Sequence, residues 1–241
     1  TNDVKKMAQN MPLMSANANV AKMAKAEAAT TNALTWFSYV NSNALGVMGF
    51  DFLAENLKNG EFFAGQTKYN IACMVPANYA KAKIDSVEFF VFSGCQYDNL
   101  TVWATPVKII EQNGQQYIDM PESADKAEVQ YVVPAAEVEA VLKKLPANYV
   151  GPISVKLPKP LTVGSDGAIV GYSFDGKSSD TPVVLAGSSS EDGGFLFQFE
   201  DNGKRYFQSF GKAFGQSSTI TVGMDVSDCE ANDATVSANP E

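Results

Sequence analysis

The side chains of this sequence that could do chemistry are carboxyl groups, Asp/Asn-rich turns and aromatic rings. The 241 residues include no histidine. Histidine is the commonest general base and a frequent zinc and copper ligand, so its absence excludes Ser-His and Cys-His nucleophile systems and most sites for those metals. Paired carboxyl groups can still act alone, as they do in glycosidases. The candidates are Asp51, Glu55, Glu61, Glu88 and Asp98, and their spacing does not place two across a cleft.

Glu88 stands inside an apolar strand candidate, SVEFFVF. A lone acid among apolar neighbours is typical of a functional group perturbed by its surroundings. The alternative, which we favour, is a structural Glu that has a hydrogen-bond partner or faces the edge of a sheet.

Calcium is the metal that the sequence could accommodate, because hard oxygen ligands occur in its Asp/Asn-rich loops. The candidate ligands are Asp98, Asn99, Asp166, Asp175, Asp180 and Asp192, and no EF-hand spacing connects them. Asp and Asn are also ordinary turn residues, and turn chemistry explains most of these positions. No other cofactor is indicated.

Aromatic residues near strand ends provide the remaining functional hint: Trp36, Tyr39, Tyr97, Trp103, Tyr172, Tyr206, Phe207 and Phe210. Sugars stack on flat aromatic rings, while neighbouring Asp and Asn side chains bond their hydroxyls. We therefore take five residues as candidate ligand-binding residues: Tyr97, Asp98, Trp103, Tyr172 and Tyr206. For any single aromatic residue, burial in the core is the favoured alternative.

The three cysteines form no Cys-x-x-Cys pair. Cys73 and Cys95 lie in or beside neighbouring strand candidates and could be bridged, although two small core residues are the favoured interpretation. Cys229 lies in a polar tail, and the odd count leaves at least one thiol without a partner in the chain.

Composition indicates an exported β protein that does not bind nucleic acid. Charged residues make up 19% of the chain, its net charge is −9 and its pI is about 4.6. An acidic surface repels phosphate backbones and anionic membranes. No apolar run is long enough for a transmembrane helix. The chain starts at Thr1, which suggests a processed product, and a secreted or cell-surface, outer-membrane-associated location is expected.

Short strands separated by Gly, Asp and Asn turns fill most of the chain from Lys68 onward. Asn113-Gly114 is the strongest hairpin signal. A helix is predicted over 134–145, since Pro134 suits its first turn and Val138, Val141, Leu142 and Leu145 share one face. Shorter helices are predicted at Val20–Ala29 and Asp51–Asn59.

This rhythm predicts an all-β fold with minor α content: a jelly-roll-like antiparallel β-sandwich with an inserted helix at 134–145 and a partly helical N-terminal segment. Residues 1–30 are expected to form a leader or linker, 31–226 the sandwich domain, and 227–241 an acidic C-terminal linker.

Four stretches carry a family resemblance: VPANYAKAKIDSVEFFVF, YDNLTVWAT, ISVKLPKPLTVGSDGAIVGYSF and TITVGMDV. In this order they resemble the jelly-roll sandwich modules of Bacteroidetes secreted and surface proteins, related to cleaved-adhesin and MAM-like domains. The resemblance spans about residues 34 to 226 and implies export, a multidomain parent chain and an adhesive or glycan-binding role. The chain departs from the pattern in the inserted helix and at Ala104-Thr105, where an Arg often follows, so no ligand contacts are transferred.

The expected function is a non-catalytic extracellular module for adhesion or carbohydrate binding, whose partner is a glycan or a host surface protein. One alternative is a structural spacer domain of a larger surface protein. The second is a carboxylate-based glycoside hydrolase. A glycan array separates the first two, and a pair of facing carboxyl groups would favour the third.

Overall fold

The fold comes from a computed structural model that describes residues 14–16, 35–40, 45–49, 68–93, 96–118, 121, 124–175, 182–186, 193–201, 204–209 and 219–228. The strands within these ranges are β1 (Met14–Ala16), β2 (Thr35–Ser38), β3 (Leu45–Gly49), β4 (Lys68–Val75), β5 (Lys83–Phe92), β6 (Asp98–Pro106), β7 (Ile109–Gln112), β8 (Gln115–Ile118), β9 (Val129–Val132), β10 (Val150–Thr162), β11 (Ala168–Asp175), β12 (Pro182–Ala186), β13 (Leu196–Asp201), β14 (Lys204–Ser209), β15 (Thr219–Ile220) and β16 (Val222–Ser227). One helix, α1 (Ala135–Leu142), and short 3-10 turns at Ala77–Tyr79 and Ala124–Lys126 complete the described elements.

Two antiparallel sheets form a sandwich. The four-stranded sheet has the order β10-β5-β16-β2, and the six-stranded sheet has the order β14-β13-β4-β11-β6-β9. The main core lies between them and takes apolar side chains from both sheets, because alternate residues of each strand point inward. The predicted all-β sandwich is therefore confirmed.

Strand β5 has apolar side chains on both of its faces, so its sequence does not alternate between apolar and polar residues. Val87, Phe89 and Val91 face the main core, whereas Phe90 and Phe92 belong to a second apolar cluster on the opposite face. The strand pairs with β10 on one side and with β16 on the other. A two-sided apolar strand must be covered on both faces, and β5 is.

A smaller sheet, with the order β1-β3-β12-β15, supplies much of the second cluster. Strand β12 serves both cores, since Val183 and Leu185 belong to the main core while Val184 and Ala186 belong to the second cluster. Strand β1 comes from the predicted leader and pairs with Leu45–Val47 of β3. The helices predicted at Val20–Ala29 and Asp51–Asn59 lie outside the described residues.

The hairpin of β7 and β8 turns at Asn113-Gly114, as the sequence predicts. Both turn residues have positive φ angles, 53° for Asn113 and 74° for Gly114, which is the left-handed conformation that two-residue hairpin turns require.

Helix α1 confirms the predicted inserted helix, with a shorter span than 134–145. Pro134 precedes its first turn, Val138 is buried, and Val141 and Leu142 pack against the main core. The amide of Lys143 still bonds the carbonyl of Glu139, but those of Lys144 and Leu145 bond carbonyls only three residues back, so the α-helix ends before Leu145.

Candidate ligand-binding face

Two of the predicted ligand-binding aromatics lie in the interior, on opposite faces of the six-stranded sheet. Trp103 is 0% exposed on the outer face, and its indole N–H donates to Asn70 Oδ1 at 2.7 Å. Tyr172 is buried in the main core and stacks on Phe89 with ring centroids 4.8 Å apart. Burial raises the pKa of its hydroxyl, with a smaller contribution from Tyr97. A ligand cannot reach either ring in this conformation.

Tyr97 also belongs to the main core. Its hydroxyl accepts a hydrogen bond from the backbone N–H of Phe92 at 3.0 Å, and its ring meets Phe174 edge to face at 5.8 Å. All three rings are buried and each fills space between packed elements, which is the alternative that the sequence favours for a single aromatic residue, while their part in ligand binding stays a prediction. Asp98 is half-buried at the start of β6. Tyr206 lies in β14, and its side chain is outside the described part of the structure.

A different set of side chains comes together on the outer face of the four-stranded sheet. The strand register places two cross-strand rows side by side: Trp36, Asp225, Ser86 and Lys156 in the first, and Ser38, Gly223, Glu88 and Ser154 in the second. We call these eight positions the polar face. The next pair along β5 and β10 is Phe90 and Pro152, and Phe90 belongs to the second apolar cluster. The polar face therefore borders the part of the four-stranded sheet that packs against the smaller sheet.

Glu88 is the most deeply placed charged residue on the polar face. The residue is 7% exposed. Its cross-strand partner Ser154 is exposed, and Ser86, two residues earlier in β5, is half-buried. Ser154 Oγ donates to Glu88 Oε2 at 2.6 Å. The other oxygen, Oε1, is buried and has no hydrogen-bond partner. The expectation of a partnered structural Glu is therefore met at one oxygen only.

Asp225 repeats this arrangement one row away. Ser86 Oγ donates to Asp225 Oδ2 at 2.7 Å. Asp225 and Glu88 occupy diagonal positions across β16 and β5, since Asp225 pairs with Ser86 and Glu88 pairs with Gly223. Each carboxylate therefore takes one serine hydroxyl as donor, and the hydroxyl hydrogens point at carboxylates instead of at solvent.

Trp36 covers the glycine between these groups. A Cβ on Gly223 would lie 2.2 Å from Cζ2 of the indole, so the ring occupies the space above Gly223. The indole thus reaches from its own row into the row that holds Glu88. Trp36 is half-buried and packs against the second apolar cluster. The result is an aromatic ring next to a buried carboxylate, on a sheet face where Ser154 and Lys156 are exposed and Trp36, Ser86 and Asp225 are half-buried.

Trp36 and Glu88 are separate candidates in the sequence, and only the strand register brings them close together. A usable signal was Gly223 in the middle of the apolar stretch TITVGMDV. A glycine inside a strand often marks a place where another group approaches the backbone closely. Gly223 marks the place where the Trp36 ring lies.

Of the remaining carboxyl candidates, Asp98 lies in β6 of the six-stranded sheet. Asp51, Glu55 and Glu61 lie outside the described residues. Within the part of the chain that the structure describes, no three acidic or cysteine side chains come together as a metal-binding group. Asp180 and Asp192 lie outside that part, and the calcium prediction at the turns stays a prediction.

Cys73 is a free thiol buried in the main core. Burial raises its pKa to about 12, against a smaller lowering by a backbone hydrogen bond. The interpretation of Cys73 as a small core residue is confirmed, whereas Cys95 and Cys229 lie outside the described residues.

Compared with known proteins, the chain matches no protein-family model, no curated protein and no solved structure. Among the described residues, no helix has the length and apolar character needed to cross a membrane. The resemblance to Bacteroidetes surface modules therefore stays a prediction.

Proposed function

We propose that this chain is a non-catalytic carbohydrate-binding module that acts through the polar face of its four-stranded sheet. The observation that carries the proposal is the half-buried Trp36 ring beside Glu88, whose Oε1 is buried without a partner. An unpaired buried acceptor destabilises the fold by about 1–3 kcal/mol. Because Oε1 is buried in this conformation, a ligand hydroxyl recovers that energy when the Glu88 side chain turns towards the solvent and accepts its hydrogen bond.

The chemistry of a sugar fits this combination. A pyranose has an apolar C–H face that packs on an aromatic ring, and hydroxyl groups around its edge that donate hydrogen bonds. Trp36 offers the ring, while Glu88 and Asp225 offer carboxylate oxygens at its side. A sheet face also suits an extended oligosaccharide, because the rows run straight across four strands.

A glycoside hydrolase is the second candidate, because the two carboxylates stand at diagonal positions. Such neighbours lie roughly 7–8 Å apart between Cα atoms, and hydrolases use carboxyl separations of about 5–9.5 Å. Glu88 and Asp225, however, rise from the same side of one sheet, whereas an acid and its partner must flank the scissile bond. We therefore favour binding without cleavage.

The proposed setting is the cell surface or the extracellular medium, as part of a larger surface protein. The composition and the resemblance described above support this setting. In the same setting a spacer domain without a ligand is the alternative, and it requires that the polar face bind nothing.

A glycan array followed by calorimetry tests the proposal. We expect the wild-type chain to bind at least one oligosaccharide with micromolar affinity, and Trp36→Ala to reduce that affinity at least tenfold. The matched control is Tyr149→Ala, which removes an aromatic residue that is 39% exposed just before β10. Absence of binding to every glycan at high micromolar concentration would leave the spacer alternative. Release of new reducing ends on prolonged incubation would favour the hydrolase.

A further inference from the structure

We propose that the polar face selects carbohydrates that carry a protonated amine, so that amino sugars bind more tightly than their N-acetylated or acidic counterparts. This inference rests on the proposed function and names the ligand class for the same site. It follows from whether the groups of the polar face can still donate or accept hydrogen bonds, and from the positions of its charged side chains.

The open roles are those of acceptors. Ser154 donates to Glu88, and Ser86 donates to Asp225. A serine hydroxyl has one hydrogen, so after these bonds both hydroxyls can only accept. Ionised carboxylates also only accept. A ligand at the centre of the face must therefore supply donors, and an anionic sugar would bring further acceptors towards two carboxylates.

A positive charge satisfies Glu88 better than a neutral hydroxyl does. Oε1 is buried without a partner, and the residue is 7% exposed, so water screens this oxygen poorly. A hydroxyl that donates to a carboxylate already forms a charge-assisted hydrogen bond, and an ammonium donor adds the direct Coulomb attraction between opposite charges. An ammonium group has three hydrogens, enough for Oε1 and for one neighbouring acceptor such as Asp225.

Trp36 strengthens the same preference. Its indole lies over Gly223, the residue that pairs with Glu88. A cation near the face of an indole is attracted by the ring's quadrupole, and tryptophan is the best aromatic residue for this interaction. Ring and carboxylate therefore favour a cation together.

One cation, Lys156, belongs to the polar face. It is exposed on β10 and pairs with Ser86, so it is diagonal to Glu88 as Asp225 is, while it lies three strands from Trp36, about 14 Å at the usual strand spacing. Lys83, the first residue of β5, is paired with Asp228 at 3.0 Å. Glu88 and Asp225 together outnumber Lys156, so the polar face keeps a negative balance.

The experiment compares short glucosamine oligomers with their N-acetylated and uronic acid counterparts of equal length, by calorimetry on the full chain. We expect the amine form to bind roughly tenfold more tightly than the N-acetylated form, and the acidic form not to bind. Raising the salt from 0.05 to 0.5 M should weaken only the amine form. Glu88→Gln should bring the amine-to-acetyl affinity ratio close to one.

The control separates this site from a general attraction to an acidic protein. Glu137→Gln removes the same charge at an exposed position of α1 and should leave the ratio unchanged. If Glu137→Gln lowers the ratio as much as Glu88→Gln, the inference is overturned. Equal affinity for amine and N-acetyl forms would also overturn it and leave the proposed function standing, whereas absence of all binding removes both. Asp225→Asn gives a second variant should Glu88→Gln unfold, and it should lower the ratio two- to fivefold.

Discussion

Each main sheet carries a tryptophan on its outer face that lies against a glycine of a neighbouring strand. On the six-stranded sheet, Trp103 stands directly opposite Gly171, and a Cβ on that glycine would lie 2.9 Å from the indole. On the four-stranded sheet, the Trp36 ring lies over Gly223. Both pairs use the same arrangement, in which a glycine leaves room for a flat ring on the sheet.

The two sites differ in how completely they are closed. Trp103 is fully buried under the segment that holds Ala124 and Ala127, and its N–H reaches Asn70. Trp36 is half-buried beside a carboxylate whose second oxygen has no partner. A site with every polar group satisfied stabilises the fold, whereas a buried acceptor without a partner costs stability that the proposed ligand would restore. The comparison therefore predicts opposite consequences for equivalent mutations.

The largest difference should appear when each indole is removed. Trp103→Ala should reduce the free energy of unfolding by about 3–5 kcal/mol, because it leaves a cavity in a closed cluster. Trp36→Ala should reduce it by only about 1–2 kcal/mol, since solvent fills the vacated space. Urea unfolding followed by circular dichroism measures both. Equal losses would show that the two tryptophans play the same structural role.

The two glycines give a smaller contrast. A Cβ at Gly171 would lie 2.3 Å from the backbone oxygen of Ile71, which cannot move aside, so Gly171→Ala should destabilise by about 1–3 kcal/mol. At Gly223 the obstacle is the outer part of the Trp36 ring, which can swing away. Gly223→Ala should therefore change stability by less than about 1 kcal/mol and abolish ligand binding. Thermal melts and the binding assay together check this pair, and retained binding in Gly223→Ala would contradict it.

Removal of Asn70 tests how much the hydrogen bond between Trp103 and Asn70 contributes to the stability of the buried Trp103 site. Asn70→Ala leaves the buried N–H of Trp103 without Asn70 Oδ1 and should destabilise by about 1–3 kcal/mol. Ser154→Ala, its counterpart on the open face, should cost about 0.5–1 kcal/mol because Ser154 is exposed. The pair is compared in the same urea titration, and a larger loss for Ser154→Ala would reverse our assignment of the two sites.

Glu88 should show a gain in stability where function is lost. Glu88→Met replaces a buried carboxylate, half of which is unpartnered, by an apolar chain of similar length. We expect the free energy of unfolding to rise by about 1 kcal/mol while binding disappears, which is the usual exchange at a functional site. A stability loss above about 1 kcal/mol would instead identify Glu88 as a structural residue.

Cys73 supplies a small pH effect from the core between the two faces. Its thiol keeps its proton in the folded chain up to a pKa of about 12, whereas the unfolded thiol loses it near pH 8.5. Between these values the unfolded state binds fewer protons, so stability falls as pH rises. Cys73→Val should make the decline between pH 9 and 11 shallower. Unfolding curves at fixed pH values check the slope, and an unchanged slope would show that Cys73 does not contribute.

Local patterns predicted most of the elements. The hairpin at Asn113-Gly114 follows from two residues that tolerate positive φ, and α1 follows from Pro134 and one apolar face. The two-sided apolar pattern of β5 predicts a central strand, which the structure confirms. These features depend on residues close together in the chain, so the sequence contains all the information they need.

Local patterns did not predict the smaller sheet or the candidate site. The pairing of β1 with β3, and of β3 with β12, joins segments far apart in sequence. The five residues chosen for ligand binding were selected as aromatic and acidic side chains near strand ends, and three of them proved to be buried. Residue type cannot distinguish a covered ring from an open one, because burial depends on what packs above it.

By itself, the sequence determined that the chain builds antiparallel strands with one inserted helix, and that no histidine-based chemistry is available to it. The tertiary structure decided which tryptophan is sealed and which borders a buried carboxylate. Trp36, Glu88 and Gly223 come from three strands, and their proximity depends on register, which shifts every side chain to the other face when it changes by one residue. Register is fixed by the burial of whole strands, and for that reason it becomes visible only in the assembled fold.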